Sequence, residues 1–263
     1  MKRRLDLCLY EMGYFKSREM AKAAVMEGLV SVNGRQVKPG TQVRGDEGIE
    51  ILAGEDRYVS RGGHKLDQAL DSFGISVNGA VVLDVGASTG GFTDCLLKRG
   101  ASRVIALDVG KGQLHCRLRE DPRVTVMERL NARYLKREDL EVEPSLATID
   151  VSFISLKKIV EPVLGVLSGK GEAVALVKPQ FEAGPSLVGK GGVVREAAVH
   201  RDVIRSLNTW MQERGIGVIG LVTSPLKGPK GNLEFFLHIS GGLPSRVGNE
   251  EIDQEVMLAH VDI

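Results

Sequence analysis

Residues 81–94 read VVLDVGASTGGFTD, and this stretch decides the fold of the longer part of the chain. Its first half, Val81–Val85, is a largely apolar run of the kind found in the central strand of a parallel sheet. Three glycines follow within six residues and allow the backbone to bend sharply. The helix predicted from Phe92 onward directs its first backbone N–H groups over this turn. Ligands bind there in such folds, beyond the carboxyl ends of the strands.

The glycine spacing distinguishes this turn from two widespread nucleotide-binding motifs. It is not the G-x-G-x-x-G of dinucleotide enzymes, and no Lys-Ser or Lys-Thr follows as in a phosphate loop. The sequence DVGASTGGF from Asp84 onward resembles the first motif of S-adenosylmethionine-dependent methyltransferases, particularly the FtsJ-like RNA 2′-O-methyltransferases. A turn that binds nothing, or that binds another nucleotide, is the alternative. The predicted cofactor-binding residues are Asp84, Gly86, Ala87, Ser88, Thr89, Gly90, Gly91, Phe92, Asp108 and Val109.

A second acidic residue, Asp108, ends the next predicted strand, RVIALD at residues 103–108. It follows the glycines by about 20 residues, where an acid at the end of the second strand can accept hydrogen bonds from ribose hydroxyls. Here these are expected to be the hydroxyls of adenosine. An Asp after a strand also commonly caps a helix, and the two roles can coexist.

Composition predicts one or two soluble globular domains, since the 263 residues are 43% hydrophobic and 26% charged with a net charge of +1. The three cysteines, Cys8, Cys95 and Cys116, are far apart and lack C-x-x-C spacing. This pattern disfavours a disulfide scaffold or a zinc site, so we expect a reducing cytoplasm and no metal requirement. No signal-peptide core and no stretch of membrane-spanning length is present, so no membrane partner is expected.

The near-neutral total hides an uneven distribution of charge. Residues 1–44 hold nine lysines and arginines and four acids, a net charge of +5, whereas the remainder carries −4. A small basic module before a slightly acidic larger domain suggests contact with a polyanion such as RNA. An ordinary solvated surface is the alternative explanation.

The N-terminal pattern adds to the charge argument. Residues 5–13 predict a first helix, and residues 17–28 predict a second helix capped by Ser17. Asn33-Gly34 between two short apolar segments then signals a β-hairpin. This order resembles the S4-like RNA-binding domain over roughly residues 5–52, although a generic small packing domain is the alternative. The resemblance implies that six cations lie near RNA phosphates: Arg4, Lys16, Arg18, Lys22, Arg35 and Lys38.

Alternating strands and helices fill the rest of the chain. After 103–108 we predict strands at 124–127, 146–151, 172–177, 216–223 and 233–239, and helices near 156–167, 195–214 and 248–263. This alternation predicts an α/β fold, a Rossmann-like parallel sheet with helices on both faces and an antiparallel strand at the end. We expect a small α+β S4-like domain at residues 1–56, a linker at 57–62 and an FtsJ-like methyltransferase domain at 63–263.

Four polar residues occur at the ends of predicted elements around one crevice: Lys65, Asp150, Lys178 and Glu234. Singly, each has an ordinary structural explanation as a cap or a solvated side chain. Together, and in this order, they resemble the catalytic tetrad of RNA ribose 2′-O-methyltransferases. A ribose hydroxyl is a poor nucleophile, so its reaction requires a base or an orienting group within hydrogen-bond reach. Lys178 suits either role, with Asp150 and Glu234 holding the lysines, and the sequence does not decide between the two roles.

Six motifs extend the resemblance over nearly the whole chain: DVGASTGGFTD, ALDVGKGQL, ATIDVSFISL, ALVKPQFEAG, VGKGGVVRE and GNLEFFLHI. Behind an S4-like domain they resemble the TlyA family. The resemblance implies S-adenosylmethionine-dependent 2′-O-methylation of ribosomal RNA, with cytidine as the target and ribosomal subunits as partners. It also implies that the loop 184–194 closes over the substrate and that Lys190 contacts a phosphate. The family's hemolysin label raises a membrane-active toxin as one alternative, and a non-catalytic ribosome-assembly protein is another.

Overall fold

The computed structural model describes residues 2–15, 17–26, 28–44, 47–51 and 57–261. The described residues up to 51 enclose an apolar core of their own, and two further cores lie in the part from residue 58 onward. Lys16 and residues 52–56 lie outside the described residues. The predicted boundary at residue 56 therefore stays a prediction.

The N-terminal part is a small α+β unit. Its elements are β1 (Arg3–Arg4), α1 (Leu5–Glu11), α2 (Arg18–Met26), β2 (Val30–Val32), β3 (Arg35–Gln36), β4 (Gln42–Val43) and β5 (Ile49–Ile51). The strands pair antiparallel, in the order β3-β2-β5 and as the pair β1-β4. Asn33 and Gly34 both have positive φ, which suits the tight turn predicted between β2 and β3.

The remaining elements form one seven-stranded sheet with helices. Its strands are β6 (Val81–Val85), β7 (Arg103–Asp108), β8 (Val124–Glu128), β9 (Leu146–Ile149), β10 (Glu172–Val177), β11 (Gly217–Thr223) and β12 (Phe235–Ser240). The main helices are α3 (Gly62–Phe73), α4 (Gly91–Lys98), α5 (Cys116–Arg119), α6 (Val160–Leu164), α7 (Pro179–Glu182), α8 (Ala197–Gln212) and α9 (Asn249–Val261).

The strand order is β11-β12-β10-β9-β6-β7-β8, and the strands run parallel except for β12. The last strand is therefore antiparallel, as predicted, and it lies between β10 and β11 rather than at an edge. Side chains alternate across β6, so that Leu83 and Val85 enter one core and Val82 enters the other. Helices α6, α8 and α9 contribute to the first core, and α3 and α4 to the second. This arrangement confirms the predicted sheet with helices on both faces.

The predicted helix at 156–167 is broken in the structure. A 3-10 turn at Leu156–Lys158 precedes α6, and Ile159 between them has φ of −114°, well away from the helical value. A continuous helix would put Pro162 in its interior, where proline lacks the required N–H and clashes with the preceding turn. The break places Pro162 in the first turn of α6, where proline is tolerated.

The carboxylate of Asp84 is buried beneath the glycine-rich turn. Thr93 of α4 donates a hydrogen bond to its Oδ2 (2.7 Å), and Thr148 of β9 donates one to its Oδ1 (2.9 Å). Burial raises the pKa of Asp84 to about 7, although the two hydroxyl donors act in the opposite direction. Asp84 thus joins β6 to α4 and β9 within the packed interior.

The predicted linker, residues 57–62, packs against α3 and α4. Tyr58 is buried in the same core as α3 and α4, and Gly62 already belongs to α3. The N–H of Val59 donates a hydrogen bond to Asp94 of α4 at 2.8 Å. A Cβ on Gly63 would overlap the Tyr58 side chain, so the aromatic ring lies directly on the helix backbone. Residues 57–61 therefore pack as part of the larger unit, because their one large apolar side chain finds a buried position there.

We expect Gly63→Ala to destabilise the protein by about 1–3 kcal/mol, since the added methyl displaces Tyr58 from a filled core. Gly62→Ala is the matched control, because a Cβ there would meet its nearest neighbours at 3.5 Å, an ordinary contact. Thermal unfolding of both variants measures the difference. Equal melting temperatures for the two variants would show that residues 57–61 are not packed as described.

We expect the stability of the protein to depend on pH through Asp84. In the unfolded chain this carboxyl ionises near pH 4, whereas in the folded chain its pKa is about 7. Between these values the folded state binds more protons, so stability falls as the pH rises from about 4 to about 7. Asp84→Asn removes this dependence, and Asp202→Asn, at an exposed position on α8, retains it. Urea unfolding across this pH range is the measurement, and parallel curves for wild type and Asp84→Asn would contradict the assignment.

Candidate active site

The candidate site lies at the edge of the sheet where the parallel strands end. Asp108 ends β7, Asp150 follows β9 and Lys178 follows β10. Glu234 immediately precedes β12, whose opposite direction brings its first residue to this same edge. The strand ends therefore bring three of the four predicted catalytic residues and the predicted ribose acceptor to one edge.

The glycine-rich turn closes against the end of β9. Gly86 has φ of 86°, a value that favours glycine, and a Cβ there would overlap the backbone carbonyl of Asp150. Gly90 has φ of 99°, and a Cβ there would overlap the side chain of Leu118. The predicted requirement for glycine at these positions thus has a steric cause in each case.

Asp108 organises the loops on both sides of it. Its Oδ2 accepts a hydrogen bond from the N–H of Ser88 (2.9 Å), and its Oδ1 accepts one from the N–H of Gly110 (2.7 Å). An ionised carboxylate has about four acceptor positions, so these two bonds leave capacity for ligand hydroxyls. The capping role and the ligand-binding role proposed from sequence are compatible in this geometry.

A small, partly open pocket lies beside Asp108. Its lining is Ala87, Ser88, Ala106, Asp108, Gly110, Gln113, Leu114, Val126 and Glu128. Small apolar side chains and two carboxylates suit the flat base and the ribose hydroxyls of a nucleoside. The adenosine portion of S-adenosylmethionine therefore fits the chemistry of this pocket.

Glu128 is a pocket residue that the sequence analysis missed. It accepts hydrogen bonds from Arg119 and from the N–H of Gly112, the latter at 2.7 Å. Burial acts to raise the pKa of Glu128, but the bonds from Arg119 and Gly112 outweigh it and hold the pKa below its usual range. Glu128 ends β8 as Asp108 ends β7, so the same strand-end rule could have identified it.

The remaining predicted cofactor residues divide by position. Thr89 and Phe92 are buried, and the Phe92 ring packs 6.1 Å from that of Phe236. A Cβ on Gly91 would overlap the hydroxyl of Ser60. Val109 is 66% exposed and does not line the pocket. Ala87, Ser88 and Asp108 thus line the pocket, whereas Asp84, Thr89 and Phe92 are buried and do not line it.

The four predicted catalytic residues form two ion pairs. Lys178 Nζ lies 2.5 Å from Asp150 Oδ1, and Lys65 Nζ donates to Glu234 Oε2 at 2.6 Å. Lys178 also donates to Ser152 Oγ at 2.9 Å. Val177 pairs with Phe235 across β10 and β12, which makes Lys178 and Glu234 neighbours along the sheet edge.

Glu234 is the most enclosed member of the set. Its side chain is fully buried, while that of Lys65 is 12% exposed. A Cβ on Gly228 would overlap Glu234 Oε1, so the chain before β12 packs directly on the carboxylate. Removing one partner from a buried pair leaves an uncompensated charge, so Lys65 and Glu234 depend on each other.

Phe153 is a second residue that the sequence analysis did not identify. It is 81% exposed, has φ of 63°, and lies one residue after Ser152. Its ring centroid is 4.8 Å from that of Phe181 on α7. The exposed ring of Phe153, backed by the half-buried ring of Phe181, offers a flat surface on which a nucleic-acid base can stack.

The predicted RNA-binding cations differ in their surroundings. Arg4 donates two hydrogen bonds to buried Asp6, at 3.0 and 2.8 Å, and Arg18 donates two more at 3.3 Å. The hydrogen bond from Arg4, together with the other donors and charges, lowers the pKa of Asp6 although burial opposes it. The cations Lys22, Arg35, Lys38 and Lys190 are exposed, and Lys16 lies outside the described residues.

None of the helices in the described part of the chain combines the length and apolar composition needed to cross a bilayer. Within the same residues, His, Cys, Asp and Glu side chains do not gather in groups of three that could hold a metal ion.

Two family models match the chain in tandem. The S4 domain model matches residues 3–49, and the FtsJ-like methyltransferase model matches residues 58–240. The second match covers the whole seven-stranded sheet and the candidate site. Two units of known type therefore follow each other in this sequence.

Named relatives extend over most of the chain. YqxC of Bacillus subtilis, which carries an rRNA methyltransferase name, is 46% identical over 259 residues, covering 97% of this chain and 92% of its own. TlyA of Mycobacterium tuberculosis, named a 16S/23S rRNA (cytidine-2'-O)-methyltransferase, is 44% identical over 236 residues, covering 89% and 88%.

A solved structure also matches nearly the full length. A protein of Streptococcus thermophilus that bears the name hemolysin superposes with a TM-score of 0.79 at 42% identity, over 99% of this chain and 96% of that one. The family models, the named relatives and the sheet with its two ion pairs agree, and the chain belongs to the TlyA family of FtsJ-like methyltransferases with an N-terminal S4 domain.

Proposed function

We propose that this chain methylates the ribose 2′-hydroxyl of a cytidine in ribosomal RNA, with S-adenosylmethionine as the methyl donor. The observation that carries the proposal is the position of Lys178, held by Asp150 and Ser152 at the strand edge that also holds the Asp108 pocket. The relative named for cytidine 2′-O-methylation supports the choice of nucleotide.

The residues around the pocket suit the cofactor. Asp108 offers acceptor positions to ribose hydroxyls, and Ala87, Ala106 and Val126 offer apolar contacts to a purine. When bound, S-adenosylmethionine supplies an electrophilic methyl group on a positively charged sulfur. The chain must then orient the ribose oxygen and accept its proton.

Lys178 is the residue we propose at the reacting oxygen. Its Nζ is fixed by two contacts from one loop, to Asp150 and to Ser152, so it can hold a ribose oxygen in a defined direction. Fixing a nucleophile in line with its target lowers the entropy cost of reaction. The hydroxyl proton would pass to the Nζ lone pair of a neutral Lys178, and Asp150 would hold the ammonium so formed. The methyl group's bond to the cofactor sulfur would break as its bond to the ribose oxygen forms.

Lys65 and Glu234 form the second pair at the same edge. Glu234 holds the Lys65 ammonium in a fixed position at this edge, beside the place where we propose that the RNA backbone approaches. We propose that Lys65 attracts the phosphate next to the reacting ribose, since a fixed cation at a concave edge raises the local concentration of a polyanion.

The N-terminal part is proposed as the RNA anchor. Residues 1–44 carry the net charge of +5, and Lys22, Arg35 and Lys38 are exposed there. Phosphate contacts from such cations position an enzyme without specifying sequence. We propose that the partner is a ribosomal subunit or its RNA in the cytoplasm, in keeping with the S4 match.

Asp108→Ala should weaken the binding of S-adenosylmethionine by on the order of 1–3 kcal/mol, because a ribose hydroxyl loses a charged acceptor. The substitution also frees the N–H groups of Ser88 and Gly110, which adds to the loss. Calorimetric titration of the full-length protein measures the change. Unchanged affinity in a folded variant would remove Asp108 from the cofactor site.

Lys178→Ala should abolish methyl transfer and leave cofactor affinity nearly intact, since the proposed work of Lys178 occurs at the reacting oxygen. The assay transfers labelled methyl groups to purified small subunit, large subunit and naked rRNA, and maps the 2′-O-methyl positions. Lys170→Ala is the matched control, because this exposed lysine precedes β10 at the opposite edge of the sheet. Substantial turnover by Lys178→Ala would disprove the role, and absence of ribose methylation by wild type on all three substrates would disprove the function.

A further inference from the structure

The segment after β9, residues 150–156, carries several parts of the candidate site and is called the 150–156 loop below. Asp150 and Ser152 hold Lys178, and Phe153 presents its exposed ring beside Phe181. At its start, the N–H of Asp150 donates to the carbonyl of Val85 at 2.9 Å, which fixes the loop to β6.

Glu182, the last residue of α7, holds the far end of the loop. Its Oε2 accepts a hydrogen bond from Ser155 Oγ (2.7 Å), and its Oε1 accepts one from the N–H of Leu156 (2.8 Å). Ser155 Oγ in turn accepts from the N–H of Lys157 at 3.2 Å. Because its own hydrogen points to Glu182, the hydroxyl presents a lone pair to Lys157. One carboxylate thus orients the whole turn that ends the loop.

The backbone at Phe153 shows why a second anchor matters. Its φ of 63° lies in the left-handed region, which bulky L side chains rarely adopt. Such a conformation persists only where the surrounding structure imposes it at both sides. The Val85 contact at one end of the loop and the Glu182 contacts at the other restrain the backbone on both sides of Phe153.

We propose that Glu182 is a positioning residue for methyl transfer, which anchors the 150–156 loop to α7 and so keeps Ser152 and Phe153 in place around Lys178. This inference rests on the proposed function in that it assigns the held residues to the reaction. The anchoring itself depends only on the contacts of the carboxylate.

Lys178 and Glu182 lie close together in the chain, which links the loop anchor to the reacting lysine. Lys178 immediately precedes α7, and Glu182 ends it, so one short helix carries the reacting lysine, Phe181 and the anchor. The 150–156 loop meets this helix at all three points. Burial raises the pKa of Glu182 despite its two donors, which reflects a carboxylate enclosed between the loop and the helix.

The first test measures the anchor without reference to activity. Hydrogen exchange of the full-length protein should show faster exchange of the amides of residues 151–157 in Glu182→Ala than in wild type, above all at Leu156. Glu161→Ala on α6, which removes an exposed carboxylate, is the control and should leave these amides unchanged. Wild-type protection in Glu182→Ala would overturn the proposal, whatever the activity of the protein.

The second test measures the consequence for the reaction. We expect Glu182→Ala to lower kcat by about 10- to 100-fold, because the groups around the reacting oxygen are then misplaced. Cofactor affinity should be unchanged. Glu182→Gln should recover part of the rate, since its amide oxygen can still accept from Leu156. A loss of cofactor affinity equal to the loss of rate would mean a general structural role and would overturn the proposal.

A double variant separates loop positioning from other effects. If Glu182 acts through the 150–156 loop, Glu182→Ala combined with Phe153→Ala should be little slower than the slower single variant. Additive losses would contradict action through the loop.

If wild type itself transfers no methyl group, the proposed function fails, while the exchange experiment still decides whether Glu182 is the anchor.

Discussion

The close contact between the glycine-rich turn and the end of β9 is the constraint on which the candidate site depends. Gly86 leaves no room for a Cβ because the carbonyl of Asp150 occupies that space. One layer below, Asp84 accepts hydrogen bonds from α4 and from Thr148 of β9. The glycine-rich turn that lines the pocket beside Asp108 therefore packs directly against the start of the 150–156 loop.

Charge at this edge is balanced in pairs. Lys178 is paired with Asp150, Lys65 with Glu234, and Asp108 with backbone N–H groups. Pairing lets ionised groups lie in partly buried positions that would otherwise cost several kcal/mol per ion. It also fixes their directions, because each long side chain has a defined partner. In the N-terminal part, Arg4 and Arg18 likewise both form ion pairs with buried Asp6.

The sequence predicts the strands and the residues at their ends, because these follow local patterns. It does not specify side-chain contacts between residues that are far apart in the chain. Apolar runs located the strands, and the strand-end rule found Asp108, Asp150 and Lys178. The pairing of Lys65 with Glu234 was expected only from the resemblance to the tetrad, because it joins residues 169 positions apart and no local pattern specifies it. Phe153 stands out only through its backbone angle and exposure. Residues 57–61 have the polar, glycine-rich composition of a linker, and their packing depends on the burial of Tyr58 and on the bond from Val59 to distant Asp94.

The reversed direction of β12 explains how Glu234 joins the other three residues. In a parallel strand the first residue lies at the amino edge of the sheet, opposite the ends of β9 and β10. Because β12 runs antiparallel between β10 and β11, its first residue lies where its parallel neighbours finish. The residue before β12 can then meet Lys65 from α3 and lie next to Lys178. A sheet with the same strands all parallel would have placed this carboxylate about 20 Å away, the length of a six-residue strand.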